Sequence, residues 1–294
     1  MKKLFIGIAA ACALMISATG CEEERTTYSG PNYIAFSDTL YELPVQNSED
    51  YYDIPVVATQ TSDQDRTLAV EIIDKSSNAI EGKHYALESN TITIKAGERV
   101  ANVRVRGIYE NIGVSDSLGF ALRLVTPEDT HWSLYGIDAK VVLIKRCPFD
   151  INEFTGYCVL TSTYFYSYMT STDLRLIQSE VDPDNENTII LKNYFYDGYD
   201  VKVKFTTDDL WNPLIETEDQ VFGPTDEAFG TIYGNGKIMM SQPSSVYSYY
   251  SSCEHFILQY MTLRVDNVGT VGTFVNAVEW ISDDEAEKLK REGY

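Results

Sequence analysis

Apolar and polar residues alternate with period two along most of this chain. Ile92 and Ile94 interleave with Thr91 and Thr93, and Val103 and Val105 with Arg104 and Arg106. Leu118, Phe120, Leu122 and Leu124 share one face; Val201, Val203 and Phe205 alternate with Lys202, Lys204 and Thr206. Successive side chains of a strand point to opposite faces, so each run predicts a half-buried strand. Turn-forming segments separate the runs: Lys95-Ala96-Gly97-Glu98, Asp182-Pro183-Asp184-Asn185, Asp197-Gly198, Asn235-Gly236 and Asp266-Asn267. Many short strands at this spacing predict sandwiches or barrels rather than βαβ units, hence an all-β fold. One helix is predicted, at the C-terminus. Ser282 can cap it, Glu285 completes a capping box, and Lys288, Lys290 and Arg291 suit its negative end.

The pattern changes around residues 145–152. Val141 to Ile144 closes one strand, and Lys145-Arg146-Cys147-Pro148 interrupts it, because proline cannot donate to a ladder. Phe154-Thr155-Gly156-Tyr157 then opens a tyrosine-dense strand system. The division is a first β domain over 31–147 and a second antiparallel β domain over 148–294. Each is long enough to bury its own core.

The first 20 residues read differently. Lys2 and Lys3, an apolar run from Leu4 to Ile16, and the small residues Ser17-Ala18-Thr19-Gly20 before Cys21 describe a secretory signal. The run is shorter than the ~20 residues a membrane-spanning helix requires. Ser17 to Cys21 resembles the lipobox of bacterial lipoproteins, although Ala18 stands where that family prefers leucine. The resemblance implies a signal peptide over 1–20, acylation of Cys21 and a tether over 21–30. Glu22-Glu23-Glu24 resembles the export signal of Bacteroidetes surface lipoproteins, which implies an outer-membrane, lipid-anchored, surface-exposed protein.

Charge narrows the partners. The chain has 23 basic and 44 acidic residues, a formal charge of −21; removing residues 1–20 deletes Lys2 and Lys3 and no acid, which takes it to −23. Nucleic acid requires a basic footprint and is excluded. Past Cys12 and Cys21, three cysteines remain: Cys147, Cys158 and Cys253. An oxidising compartment permits one disulfide, Cys147 with Cys158 or Cys158 with Cys253; three buried thiols are the alternative.

Four segments of the first domain resemble the Calx-beta family: Tyr41-Glu42-Leu43, Ala79 through Tyr85 (Ala-Ile-Glu-Gly-Lys-His-Tyr), Ile92 through Glu98 (Ile-Thr-Ile-Lys-Ala-Gly-Glu), and Phe120 through Leu124 (Phe-Ala-Leu-Arg-Leu). The resemblance implies an immunoglobulin-like sandwich of two antiparallel sheets. Calcium binding, frequent in that family, is not expected: His84 replaces the motif aspartate, Glu110 and Asp116 are widely spaced, and Lys145-Arg146 stand where a closing aspartate pair would be. Calcium takes six to eight oxygens. No metal or cofactor is assigned.

The second domain is similar in layout to C-terminal domains of unknown function in Bacteroidetes lipoproteins. Its opening strands resemble a lipocalin-like barrel; a second sandwich is the alternative. Its aromatic residues suggest a function. Tyr164, Tyr166 and Tyr168 would share a strand face; Tyr194, Phe195, Tyr196 and Tyr199 form a second cluster, Tyr247, Tyr249 and Tyr250 a third, and Trp211 lies in a loop. Such rings stack on sugar faces while neighbouring amides and carboxylates bond hydroxyls, and they also fill sheet faces with no ligand at all. Tyr164, Tyr166, Tyr196, Trp211 and Tyr249 are the candidate ligand-binding residues.

Catalytic patterns are missing. His84, His131 and His255 lack zinc spacing, no Gly-Xaa-Ser-Xaa-Gly elbow occurs, and carboxylates are too abundant to single out a glycosidase pair. Asp182 to Glu186 alternates oxygen ligands like the start of a calcium loop but lacks its glycine and final glutamate, which reads as a turn. The expectation is a non-catalytic, lipid-anchored envelope protein binding a glycan or glycoconjugate. The alternative is a structural or assembly subunit that binds another envelope protein.

Overall fold

A computed structural model describes residues 28–294. The signal segment, Cys21 and Glu22-Glu23-Glu24 lie outside the described residues. The protein is all-β, in two units with separate cores.

The first unit is a sandwich. One sheet runs in the order β1 (Ile34–Phe36), β3 (Tyr52–Ala58), β7 (Val100–Gly107), β5 (Tyr85–Leu87); the other runs β2 (Leu40–Val45), β9 (Asp138–Lys145), β8 (Leu118–Val125), β4 (Arg66–Ile72), β6 (Thr91–Ile94). The period-two pattern sorts the faces as expected: Ile92, Ile94, Val103, Val105, Phe120, Leu122 and Leu124 are buried. One expectation needs correction, because the sheets are not wholly antiparallel: β2 and β9 pair in parallel. These are an early and the last strand of the unit, and the long intervening chain supplies the crossover that parallel neighbours require. β2 is the sheet edge, where Pro44 removes no ladder bond from a central strand.

Gly82 and Gly97 adopt φ +77° and +80°, conformations that a Cβ resists. In the first of these turns His84 is buried, and its Nδ1 accepts a hydrogen bond from the Ile80 N–H at 3.0 Å. The imidazole therefore closes the turn. Tyr85 follows it into the core, stacked on Phe120 with ring centroids 3.7 Å apart.

The second unit is a closed barrel, which decides between the two architectures left open by the sequence. Its strands are β10 (Gly156–Ser162), β11 (Arg175–Val181), β12 (Thr188–Lys192), β13 (Val201–Phe205), β14 (Leu214–Glu216), β17 (Ser248–Ser251), β18 (Phe256–Val265) and β19 (Gly269–Trp280). Each is antiparallel to the next, and β19 returns to pair with β10. A hairpin of β15 (Gln220–Pro224) and β16 (Lys237–Ser241) is inserted after β14 and docks on the far half of β18. The last helix, Asp283–Glu292, has the predicted Ser282–Glu285 capping box. Two short helices are additional: α1 (Thr163–Tyr168) and α2 (Thr225–Phe229), which makes the terminal helix α3.

Eight strands enclose an interior that side chains can just fill, and here aromatic rings close both ends. Phe154 packs with Phe149, Phe205, Tyr250 and Trp280 before β10 begins. Beyond the other end of β10, Tyr164 packs against Phe195, Phe222 and Phe274. Between the plugs runs a buried polar chain. Ser162 Oγ donates to Asn276 Oδ1 at 2.6 Å, Asn276 Nδ2 donates to Gln259 Oε1 at 3.0 Å, Tyr194 OH donates to the same oxygen at 2.7 Å, and Gln259 Nε2 donates to Thr217 Oγ1 at 3.0 Å. Every member has a partner, so the chain avoids the roughly 1–3 kcal/mol cost of each unsatisfied buried polar group.

The disulfide differs from both expected pairings: Cys147 bonds Cys253, with Cα atoms 5.2 Å apart. Cys158 is a fully buried thiol inside β10, and burial pushes its pKa up to about 12. Cys147 follows the last strand of the sandwich and Cys253 lies in the β17–β18 turn, whereas Cys158 belongs to the barrel core.

Candidate ligand-binding face

Two of the five aromatic candidates are buried in the core. Ser162 starts a helix rather than extending a strand, its Oγ accepting the Tyr164 N–H at 3.0 Å. Helical spacing puts Tyr164 and Tyr168 on one side, stacked at 4.9 Å, and turns Tyr166 to the other, where it is 81% exposed. The expected shared face of Tyr164, Tyr166 and Tyr168 is thus corrected. Tyr164 and Tyr196 are buried, their hydroxyls bonding each other at 2.8 Å, and burial keeps both from a sugar. Burial raises both phenol pKa values above the ordinary tyrosine value, that of Tyr164 most.

Trp211 and Tyr249 lie on the outside. The loop from Thr206 to Pro213 is held by Asp209, whose Oδ1 accepts the Trp211 N–H at 2.8 Å and whose Oδ2 accepts the Asn212 side-chain amide at 2.7 Å. These bonds lower the Asp209 pKa, that of the Asn212 amide most, and they hold Trp211 at the surface. The Arg146 guanidinium covers one face of the indole at 5.2 Å, and the buried Arg146 Nε has no hydrogen-bond partner. From Pro213 the chain enters β14. Leu214 pairs with Tyr249 on β17, which pairs with Leu258 on β18, which pairs with Ala277 on β19. All of these side chains face outward, with Phe256 edge-on to Tyr249 at 6.3 Å and Tyr247 exposed just before β17.

One pairing further along the same wall, the surface becomes charged. Lys204 on β13 stands opposite Glu216 on β14. With Lys202, Glu218, Asp219 and Gln220 they line an open groove of about 670 Å³. Hydrogen bonds tie its far rim to β13. The Gln220 amide bonds both the N–H (2.8 Å) and the C=O (3.0 Å) of Lys202, replacing a ladder partner where β14 has ended. Lys202 Nζ reaches the buried Asp182 carboxylate at 2.6 Å. That ion pair, aided by the Asn185 amide and the Asp184 N–H, holds the Asp182 pKa at about 2. The Asp182–Glu186 segment is therefore a turn whose buried carboxylate, Asp182, is paired with the chain's own Lys202. Among the described residues, no group of three or more His, Cys, Asp or Glu is placed to hold a metal ion.

The sequence reading missed the groove and the apolar wall. A usable signal was present in β18, where Phe256, Leu258 and Tyr260 alternate with Ile257, Gln259 and Met261. A strand apolar on both registers has two faces shielded from water.

A two-unit all-β protein with a filled barrel and an aromatic outer wall is the class that fold and face define. The chain belongs to the family described as Domain of unknown function (DUF4984), which matches residues 134–292; the match takes in β9 as well as the whole barrel. No curated protein matches the chain. Among solved structures, it is similar to the apo form of the Calx CBD1 domain (15% identity, 40% of this chain and 98% of that one, TM-score 0.32). It is also similar to a Bacteroides ovatus protein of unknown function (14%, 84% and 89%, 0.34) and to an auxiliary nutrient binding protein of Bacteroides thetaiotaomicron (14%, 83% and 90%, 0.33). Likeness at this level transfers no function.

Proposed function

We propose that this is a non-catalytic binding protein of the cell envelope, anchored through acylated Cys21 on the outer-membrane surface, that takes a glycan or glycoconjugate across Trp211, Tyr247, Tyr249 and the adjoining groove. The observation that carries this reading is the meeting of two surfaces on one wall. Exposed rings offer flat apolar faces for the C–H side of a sugar, and the groove beside them offers lysine donors and carboxylate and amide acceptors for hydroxyls. No histidine, cysteine or serine lines the groove, which fits binding better than acyl transfer through a serine or cysteine nucleophile. The closed barrel supports an external site, because its interior is occupied by its own side chains.

The test is a glycan array followed by titration of any hit. Trp211→Ala with Tyr249→Ala should weaken binding at least tenfold, about 1.4 kcal/mol, and Tyr166→Ala should leave it unchanged. An array without hits would end the glycan reading. The half-buried apolar wall of β17, β18 and β19 would then favour an envelope-protein partner, to be sought by crosslinking from Tyr249. Anchoring is tested separately: radiolabelled palmitate should enter the parent and not Cys21→Ala.

A further inference from the structure

The connection between β8 and β9 carries a second aromatic surface, far along the chain from the barrel face. Trp132 stacks on Tyr33 with centroids 5.6 Å apart and planes 11° apart, and Tyr135 meets Trp132 edge-on at 4.6 Å. Leu134 is 75% exposed and Tyr135 is 54% exposed. The tip is well braced. His131 Nε2 bonds the Thr126 carbonyl at 3.1 Å, and the Gly136 N–H donates to the Trp132 carbonyl at 2.8 Å. A braced tip that presents Leu134 and Tyr135 together to solvent is a candidate contact surface.

The chain's own entry points to what that surface meets. Residues 30–33 lead into β1 beside this tip, pinned by Gln60, which donates to the Gly30 carbonyl, and by Thr59, whose hydroxyl donates to the Pro31 carbonyl and accepts the Tyr33 N–H, both at 2.8 Å. Cys21 stands seven residues before Tyr28. A stretch of that length spans at most about 25 Å. We propose that the Trp132–Tyr135 tip rests in the headgroup–acyl boundary of the membrane, fixing the orientation of the anchored sandwich. This rests on the lipid-anchored reading.

Tryptophan and tyrosine, each an apolar ring with a polar end, suit that boundary, and Leu134 supplies a purely apolar contact. A short tether keeps the local lipid concentration high, so a contact too weak to hold a free protein still forms. Glu128 and Asp129 flank the tip, which matches a zwitterionic surface better than an anionic one.

The experiment uses the full acylated protein in phosphatidylcholine vesicles containing lipids spin-labelled near the headgroup. The expected result is quenching of a fraction of tryptophan emission that is lost in Trp132→Phe. That quenching should fall several-fold in Leu134→Asp with Tyr135→Asp, two exposed positions, with palmitate incorporation unchanged. Unquenched emission from vesicle-bound, palmitate-labelled protein would overturn the proposal. So would equal quenching in the double-aspartate variant, or relief of quenching by soluble glycan, which would mark the rings as a sugar site. If palmitate does not enter, the anchor reading fails by itself. The tip is then judged on Cys21→Ala protein at high vesicle concentration, where Trp132-dependent quenching supports it and its absence refutes it.

Discussion

The sandwich and the barrel are built from the same alternating pattern, yet they fill their interiors differently. The sandwich core is almost wholly aliphatic and aromatic, with His84 as its buried exception, spent on closing a turn. The barrel places Ser162, Asn276, Gln259, Thr217 and Tyr194 in one hydrogen-bonded chain and closes its ends with rings. Two facing sheets approach until side chains interdigitate. A closed barrel has a diameter set by strand number and must be filled from within. Tyrosine suits that task, since its body packs and its hydroxyl finds a partner. The tyrosine-dense texture of the second unit is thus in large part a consequence of barrel closure, and the surface left for recognition is the outer wall.

The largest tests of this contrast remove rings. Phe120→Ala and Phe154→Ala should each cost about 3–5 kcal/mol. Because the cores are separate, calorimetry should show the first lowering the sandwich transition and the second that of the barrel; a common shift from both would mean the units unfold as one. Reducing Cys147–Cys253, or replacing both cysteines with serine, should cost about 2–5 kcal/mol. Nearly all of the loop it closes is barrel, so the barrel transition should carry that loss. Asn276→Ala removes the partner of Ser162 and one of the partners of Gln259, and denaturant titration should show a loss of about 2–4 kcal/mol, hydrogen bonds and lost volume together. Should it prove neutral, the polar chain contributes nothing to the barrel.

A smaller effect concerns acid. The folded pKa of Asp182, about 2, lies below the ordinary carboxylate value. Its contribution to stability is therefore complete above about pH 4 and is lost as pH falls through about 2. Asp182→Asn should flatten the fall in melting temperature across that window; an unchanged slope would show the Lys202 pair to be unimportant. The smallest expected change is Tyr166→Ala, within about 0.5 kcal/mol, in contrast to Tyr164→Ala two positions away.

That last contrast shows where local reading fails. Tyr164, Tyr166 and Tyr168 alternate as a strand would, but Ser162 caps a helical turn and rotates the outer two inward together. Elsewhere the pattern was sufficient: Val201, Val203 and Phe205 face inward, the Gly82 and Gly97 turns form, and Ser282 and Glu285 cap α3. Each of these depends on residues within a few positions of one another. Trp211 and Tyr249 were legible as aromatic residues but not as parts of one wall, because β14 meets β17 only after the β15–β16 hairpin is looped out.

The sequence by itself determined the strands, their inward residues, the all-β class and the terminal helix, since side-chain period and capping are local properties of the backbone. Tertiary structure alone decided that β10 pairs with β19 to close a barrel, that β2 lies parallel to β9, that Cys147 rather than Cys158 bonds Cys253, and which tyrosines stay outside. Those outcomes join residues distant in the chain, and period two cannot distinguish the inside of a closed wall from an outer face shielded by its own neighbours.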